Sequence, residues 1–265
     1  MCRLYGYRAT HAAPVECELL EAQNALIRQS RADERGLSNP DGWGIGFVAG
    51  GRVERIRQAG PAFESKLFRA EARRVRATTL VAHVRRATVG GRGLANTHPF
   101  RHRSSLLAHN GHLGDFAALR PRLLEAMTPE WRCTIAGDTD SEHFFHLLLS
   151  RRQASPARPT AQILRSAIRD VLRWSGEADV AVNVLWTVGD ELTGSRLGRS
   201  LWYVERDRPH VCEVHGTVHA GAPAGATLRT LVLASEPITG ERWTEVPERS
   251  LFTVGREMRL RVEPL

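Results

Sequence analysis

With 265 residues, 42% of them hydrophobic and 25% charged, the chain has the balance of a globular protein and contains no apolar run long enough to span a membrane. No apolar leader segment follows Met1 and position 2 is cysteine, so neither a secretory signal nor an N-myristoyl anchor is expected, and the cytoplasm is the expected compartment. The net charge of +8 invites nucleic acid, but Lys66 is the only lysine among 37 basic residues, and the arginines are scattered among acids with 6% aromatics, unlike the concentrated basic face of a nucleic-acid reader; neither nucleic acid nor membrane is an expected partner.

Residues 2–8 read as a strand. "PVECELLEAQNALIRQS" (14–30) spaces Leu19, Leu20, Gln23, Leu26 and Ile27 as one helix, with Pro14 at its start. "GWGIGFVAG" and "GRVERIRQA" predict two strands joined at Gly50-Gly51. A helix is expected over 64–75, a strand over 78–88, and another over 104–111 that ends in a turn at Asn110-Gly111. Helices follow over 115–127 and 139–152, the second opened by Thr139 and Glu142 at capping-box spacing. After a polar connection, 161–174 is amphipathic, and 179–188, 200–205, 229–237 and 258–263 are strands, with 219–227 a surface loop. Strands in runs with helices grouped between them favour stacked sheets covered by helices over a doubly wound sheet. No internal repeat or domain break is visible, so 1–265 is expected to be one domain.

Some motifs carry no chemistry here. "GIGFVA" imitates a dinucleotide fingerprint but lies inside a strand instead of opening a helix. "GGRG" (90–93) lacks the lysine and helix of a phosphate loop and reads as a mobile loop. The 11 histidines form neither HxH nor HExxH, so no metal is expected, and a serine hydrolase would lack its GxSxG elbow. Cys2, Cys17, Cys133 and Cys212 have no CxxC pair and read as free thiols.

What remains is a set with ordinary explanations taken singly: Cys2 as a small apolar residue of an edge strand, Arg85 as a surface charge, Asn110-Gly111 as a turn pair, and Asp138 and Asp140 as acids at a helix start. In order along the chain, however, Cys2, "DGWGIGF" (41–47), "AHVRRAT" (82–88), "NTHPF" (96–100), "AHNG" (108–111), "GDTDSE" (137–142) and "LASEP" (233–237) resemble the class II glutamine amidotransferases. These are N-terminal-nucleophile hydrolases that cut the γ-amide of glutamine. The resemblance implies an α+β fold, a four-layer αββα sandwich, with no cofactor.

It also implies roles. Once Met1 is removed, the Cys2 thiol attacks the amide carbon and its own α-amine is the base. The Asn110 side chain and the Gly111 N–H form the oxyanion hole. Arg85 grips the substrate α-carboxylate, assisted by Thr88, and Asp140 pairs with its α-ammonium. Asp41, Trp43 and Gly44 support the site, with Gly44 and Gly46 allowing close packing; His98 and His109 are read as structural.

Relatives fused to a synthase often carry tryptophan after the binding arginine, where this chain has Arg86. No synthase domain is expected after the roughly 250-residue hydrolase, so ammonia would be released or handed to a separate synthase partner. The expected small-molecule substrate is glutamine or a γ-glutamyl conjugate, including that of the ergothioneine-pathway γ-glutamyl amidohydrolase, which this chain also resembles. The leaving group would meet loops such as 89–97 or 216–227. A catalytically silent relative that binds a metabolite or partner subunit is the alternative of another class.

Overall fold

The computed structural model describes residues 2–176, 179–218 and 226–265; most of the surface loop expected at 219–227 lies outside them. The strands are β1 (Arg3–Pro14), β2 (Gly42–Ala49), β3 (Arg52–Gln58), β4 (Arg76–Arg85), β5 (Phe100–His102), β6 (Ser105–Leu113), β7 (Val180–Val188), β8 (Glu191–Arg196), β9 (Trp202–Arg206), β10 (Thr230–Ala234), β11 (Thr244–Glu245), β12 (Ser250–Val254) and β13 (Leu260–Pro264). The helices are α1 (Leu26–Arg31), α2 (Lys66–Arg74), α3 (Phe116–Glu125), α4 (Pro129–Arg132), α5 (Asp140–Ala154) and α6 (Thr160–Ser175), with a short π-helical turn at Cys17–Glu21.

Two antiparallel sheets result. One has the order β11-β9-β10-β1-β4-β2-β3, the other β13-β12-β8-β7-β6-β5. Between them lies an apolar layer that includes Leu4, Val81, Ala108, Leu185, Leu233 and Phe252. A second core joins the outer face of the first sheet to α1 and α2 through residues such as Trp43, Phe68, Leu26 and Leu80. A third joins the other sheet to α3, α5 and α6 through Leu107, Phe144, Leu148, Ile168 and Trp186. Three apolar seams make four layers, and the fold is the αββα sandwich. Among the described residues no helix is long and apolar enough to cross a membrane.

Three expectations need correction. The helix over 14–30 is broken: Pro14 is the last residue of β1, and the chain is extended at Ala22 and Ala25 between Cys17–Glu21 and α1. The cause is tertiary. The Asn24 side chain donates to the carbonyl of Pro237 at 2.8 Å and its backbone N–H to that of Ile238 at 3.1 Å, so hydrogen bonds to a distant segment replace the helical ones. Asn110-Gly111 is not a turn. Both residues lie inside β6, opposite Asn183 and Val182 of β7, and the chain turns only at Gly114, where φ is 73°. The capping box is half formed: Thr139 accepts the Glu142 N–H at 3.2 Å, but the Glu142 carboxylate binds the N–H groups of Ala136 and Gly137. Pairing also makes strands of β5, β8, β11 and β12, which local pattern did not distinguish.

Candidate active site

The register of the first sheet puts Arg3 of β1 beside Val84 of β4, so Cys2 meets the end of β4. Its sulfur lies 3.3 Å from the Arg86 nitrogen, whose N–H it accepts, and 3.3 Å from the Arg86 carbonyl oxygen, to which it donates. Burial pushes the thiol pKa up, against the lowering effects of the Arg86 backbone and of the Arg85 and Arg3 charges. At neutral pH the sulfur is therefore held as a thiol, and ionising it needs a base.

Across the sandwich, β6 brings Asn110 and Gly111 to the same place. Cys2, Thr88, Asn110 and Gly111 share one cavity of about 200 Å³, together with Arg86, His112 and Arg199. A larger cavity of about 390 Å³ opens against Trp131 and Trp186 and contains none of these groups. The Asn110 amide is steered by Ser235, whose hydroxyl oxygen accepts from it at 3.4 Å and from the Leu4 N–H at 2.9 Å. Thus "LASEP" connects the oxyanion candidate to the strand that follows Cys2, the candidate nucleophile.

Arg85 and Asp140 flank this cavity without lining it. Arg85 is buried, and its guanidinium donates to the carbonyls of Val89 at 2.9 Å, Gly91 at 3.1 Å and Gly90 at 3.5 Å. Asp140 is also buried; one oxygen takes the Leu113 N–H at 3.0 Å and the other the Ser141 N–H at 2.7 Å. Both groups have the signs expected of partners for an amino-acid head group, and both are occupied by the protein itself. The loop over 90–93, read as mobile, is tied down at several points: Asn96 donates to the Gly91 carbonyl at 3.0 Å and to Asp138 at 2.5 Å, while Asp41 holds Arg92 at 2.7 Å.

The expected supporting residues fall into two places. Asp41 accepts the Ala87 N–H at 2.8 Å, fixing the backbone between Arg86 and Thr88. Trp43 faces the other way, into the core beneath α2, with its ring 5.1 Å from that of Phe68. Gly44 lies so close to the His98 carbonyl that a Cβ would sit 2.2 Å from it. The His98 ring is buried against His83 at 4.3 Å and Phe100 at 4.6 Å, and burial drives its pKa well below the ordinary histidine value. His109 joins β6 to the start of α5, bonded to Ser141 at 2.8 Å and to the Ala181 carbonyl at 3.0 Å.

Sequence reasoning missed a buried ionic group next to Cys2. Arg3 pairs with Asp33 at 2.8 Å and with Glu236, and donates to the Cys2 carbonyl at 3.1 Å. Its signal in the sequence was a charged residue inside an apolar strand. His112 and Arg199 were missed as cavity residues because their meeting requires β6 and the β8–β9 connection to lie side by side.

Residues 12–260 match the family model described as glutamine amidotransferases class-II. The chain is 25% identical over 300 residues to the probable glutamine amidotransferase DUG3 of Saccharomyces cerevisiae, covering 97% of this chain and 82% of that one. Over 115 residues it is 39% identical to the gamma-glutamyl-hercynylcysteine sulfoxide hydrolase of Mycobacterium tuberculosis, covering 42% of this chain and 49% of the other. Among solved structures it is similar to a glutamine aminotransferase class-II domain protein from Silicibacter pomeroyi, with a TM-score of 0.66 at 20% identity, over 100% of this chain and 99% of that one. It is also similar to glutamine phosphoribosylpyrophosphate amidotransferase from B. subtilis, with a TM-score of 0.61 at 18% identity, over 99% of this chain and 49% of that one.

Proposed function

The chain belongs to the class-II glutamine amidotransferases, and we propose that within this family it is an amidohydrolase that cleaves the γ-glutamyl amide of glutamine or of a γ-glutamyl conjugate. The observation that carries the reading is the shared cavity of Cys2, Thr88, Asn110 and Gly111, which arrive from both sheets of the sandwich.

With Met1 removed, the Cys2 α-amine takes the thiol proton as sulfur bonds to the γ-carbonyl carbon. In water an α-amine near pKa ~8 and a thiol near ~8.5 exchange a proton at little cost; burial raises the Cys2 thiol and adds to that cost, which makes a base on the same residue necessary. The oxyanion forms beside the Asn110 amide and the Gly111 N–H. Collapse breaks the C–N bond, and the ammonium of Cys2 returns its proton to the departing amine. Water then cleaves the thioester, releasing glutamate and restoring the thiol. Arg85 would take the substrate α-carboxylate in exchange for the neutral carbonyls it now holds, a stronger charge-assisted bond, and Asp140 would face the α-ammonium.

A second, narrower reading, that the substrate is γ-glutamyl-hercynylcysteine sulfoxide, draws on the 39% local identity to the mycobacterial hydrolase. The test is glutamate release from glutamine and a panel of γ-glutamyl conjugates, with intact mass showing loss of Met1. Cys2→Ala should abolish release while retaining binding. Retained Met1 in active protein, or activity in Cys2→Ala, would overturn the mechanism. Binding without cleavage by the wild type would make the chain a silent metabolite-binding relative, and transfer of nitrogen to an added synthase would reveal an amidotransferase subunit.

A further inference from the structure

We propose that the chain carries a second ligand site, apart from Cys2, at the open edge of the sandwich. There Arg55, Arg57 and Arg101 would take a doubly charged oxyanion, either free phosphate or the phosphoryl group of a phosphate monoester.

β3 and β5 are the end strands of the two sheets. Side chains alternate along a strand. Ile56 packs against the outer core of the first sheet, so Arg55 and Arg57 turn the other way, towards the second sheet. Arg101 pairs with Leu106, and Leu106 stands 2.9 Å from where a Gly46 Cβ would sit, between the sheets. Directly paired residues share a face, which puts Arg101 on that inner side too. Three arginines thus converge where the neighbouring inter-sheet layer is apolar. They line one cavity of about 180 Å³, which shares no residue with the cavity of Cys2.

A missing carboxylate partner is not what sets this place apart, since Arg85 is equally without one; the crowding of three guanidinium groups is. Arg55 and Arg57 are half-buried. Among the described residues the three donate to neutral acceptors: Arg55 to the Pro99 carbonyl at 3.4 Å, Arg57 to that of Thr97 at 2.5 Å, and Arg101 to that of Arg103 at 3.4 Å. The carboxylate on the cavity wall, Glu142, already takes the N–H groups of Ala136 at 3.1 Å and Gly137 at 2.6 Å. Burial and the Arg55 charge push the Arg57 pKa down to about 10, and burial and the Arg101 charge lower that of Arg55. Three guanidinium groups against one carboxylate leave an excess that a dianion cancels and a monoanion does not. A phosphoryl group offers each planar fork an oxygen of its own. The larger cavity against Trp131 and Trp186 meets this one at His102 and Thr134, which line both, so the organic part of a monoester has an apolar place to lie.

The experiment is calorimetry on the full chain at pH 8 and fixed ionic strength, with inorganic phosphate, sulfate, nitrate and phenyl phosphate as probes, beside melting curves. Phosphate and sulfate should bind with a Kd of about 1 mM or tighter and nitrate about tenfold more weakly or worse; phosphate should raise Tm, as a ligand of the folded chain must. Arg57→Gln and Arg101→Gln should each weaken phosphate by about tenfold or more, and the Arg86→Ala/Arg199→Ala pair in the Cys2 cavity should leave it unchanged. Arg101 is exposed, so its variant decides the matter should Arg57→Gln fail to fold. Phenyl phosphate bound more tightly than phosphate would identify a monoester as the ligand, and equal or weaker binding would identify phosphate itself. No binding of phosphate, binding no tighter than nitrate, or binding that survives Arg101→Gln and is lost in the Arg86/Arg199 pair overturns the inference.

Discussion

A methyl group at Gly111 would lie 1.8 Å from the Ala181 carbonyl oxygen, so the partner strand itself demands glycine there. Gly111→Ala should cost about 3 kcal/mol or more in denaturant unfolding, since backbone cannot move aside as a side chain can; a variant as stable as wild type would contradict this packing. Asn110 is the neighbouring case with the opposite expectation. Asn110→Ala removes the proposed oxyanion donor and should lower kcat by about 100-fold to 1000-fold with the fold intact, as read by steady-state kinetics beside a melting curve. Ser235→Ala leaves the amide in place but takes away its partner at 3.4 Å. Its effect should be smaller, about tenfold on kcat with KM nearly unchanged, because one neutral hydrogen bond contributes only about 1 kcal/mol. "LASEP" was visible as a match to the family; that its serine orients an asparagine 125 positions earlier was not, because nothing local links them.

At the scale of elements, the segment that leaves β4 is shaped by Asp41, just ahead of β2, which takes the Ala87 N–H and pairs with Arg92. Asp41→Ala should release residues 86–93, seen as faster amide exchange at Ala87, and lower kcat/KM by about tenfold to 100-fold, the range for a charge-assisted hydrogen bond. Unchanged exchange would mean the segment is held by Arg85 and Asn96 alone. Beneath β1, the Glu236 carboxylate receives Arg3, the Glu34 N–H at 3.1 Å and the Asn24 side chain at 3.3 Å. Glu236→Ala would leave the Arg3 guanidinium buried with half of its compensation lost, and should cost about 3–5 kcal/mol in urea unfolding. A small loss would show that Asp33 suffices. The same contacts explain the broken helix over 14–30. Its periodicity was correct for helix, but Asn24 satisfies its backbone and side chain on 237–238, and tertiary hydrogen bonding overrides local propensity.

Across the whole molecule, His83 and His98 stack between the sheet carrying β4 and the β5 end of the other. Burial pushes His83 down to about 3 and His98 well below its ordinary value. Above the unfolded histidine pKa of about 6.5 both states are neutral and the full stability is present. As pH falls below that, the unfolded chain binds protons that the folded one refuses, so stability drops by about 1.4 kcal/mol per pH unit for each ring. Between pH 6.5 and 5 the slope builds up to that value, and the pair should contribute a loss of about 3 kcal/mol, measurable by equilibrium unfolding. His98→Phe should reduce that slope by about half; an unchanged slope would place the pH dependence elsewhere.

The order of short motifs and the strand-rich pattern with grouped helices were legible in the amino-acid sequence, because each rests on local chemistry: side-chain period and turn residues; the thiol one position from the start was legible as a candidate nucleophile. Strand pairing was not, since a run such as Glu191–Arg196 becomes β8 only through its hairpin with β7 and its contact with β12. Nor could local pattern tell a turn from mid-strand at Asn110-Gly111, where β7 supplies the missing partner. Only the folded sandwich decided that Arg85 and Asp140 are engaged by their own backbone surroundings, and that Arg86, His112 and Arg199 surround the sulfur. The physical reason is that a side chain's chemistry is written at its own position, whereas its partner is chosen by how two sheets close on one another.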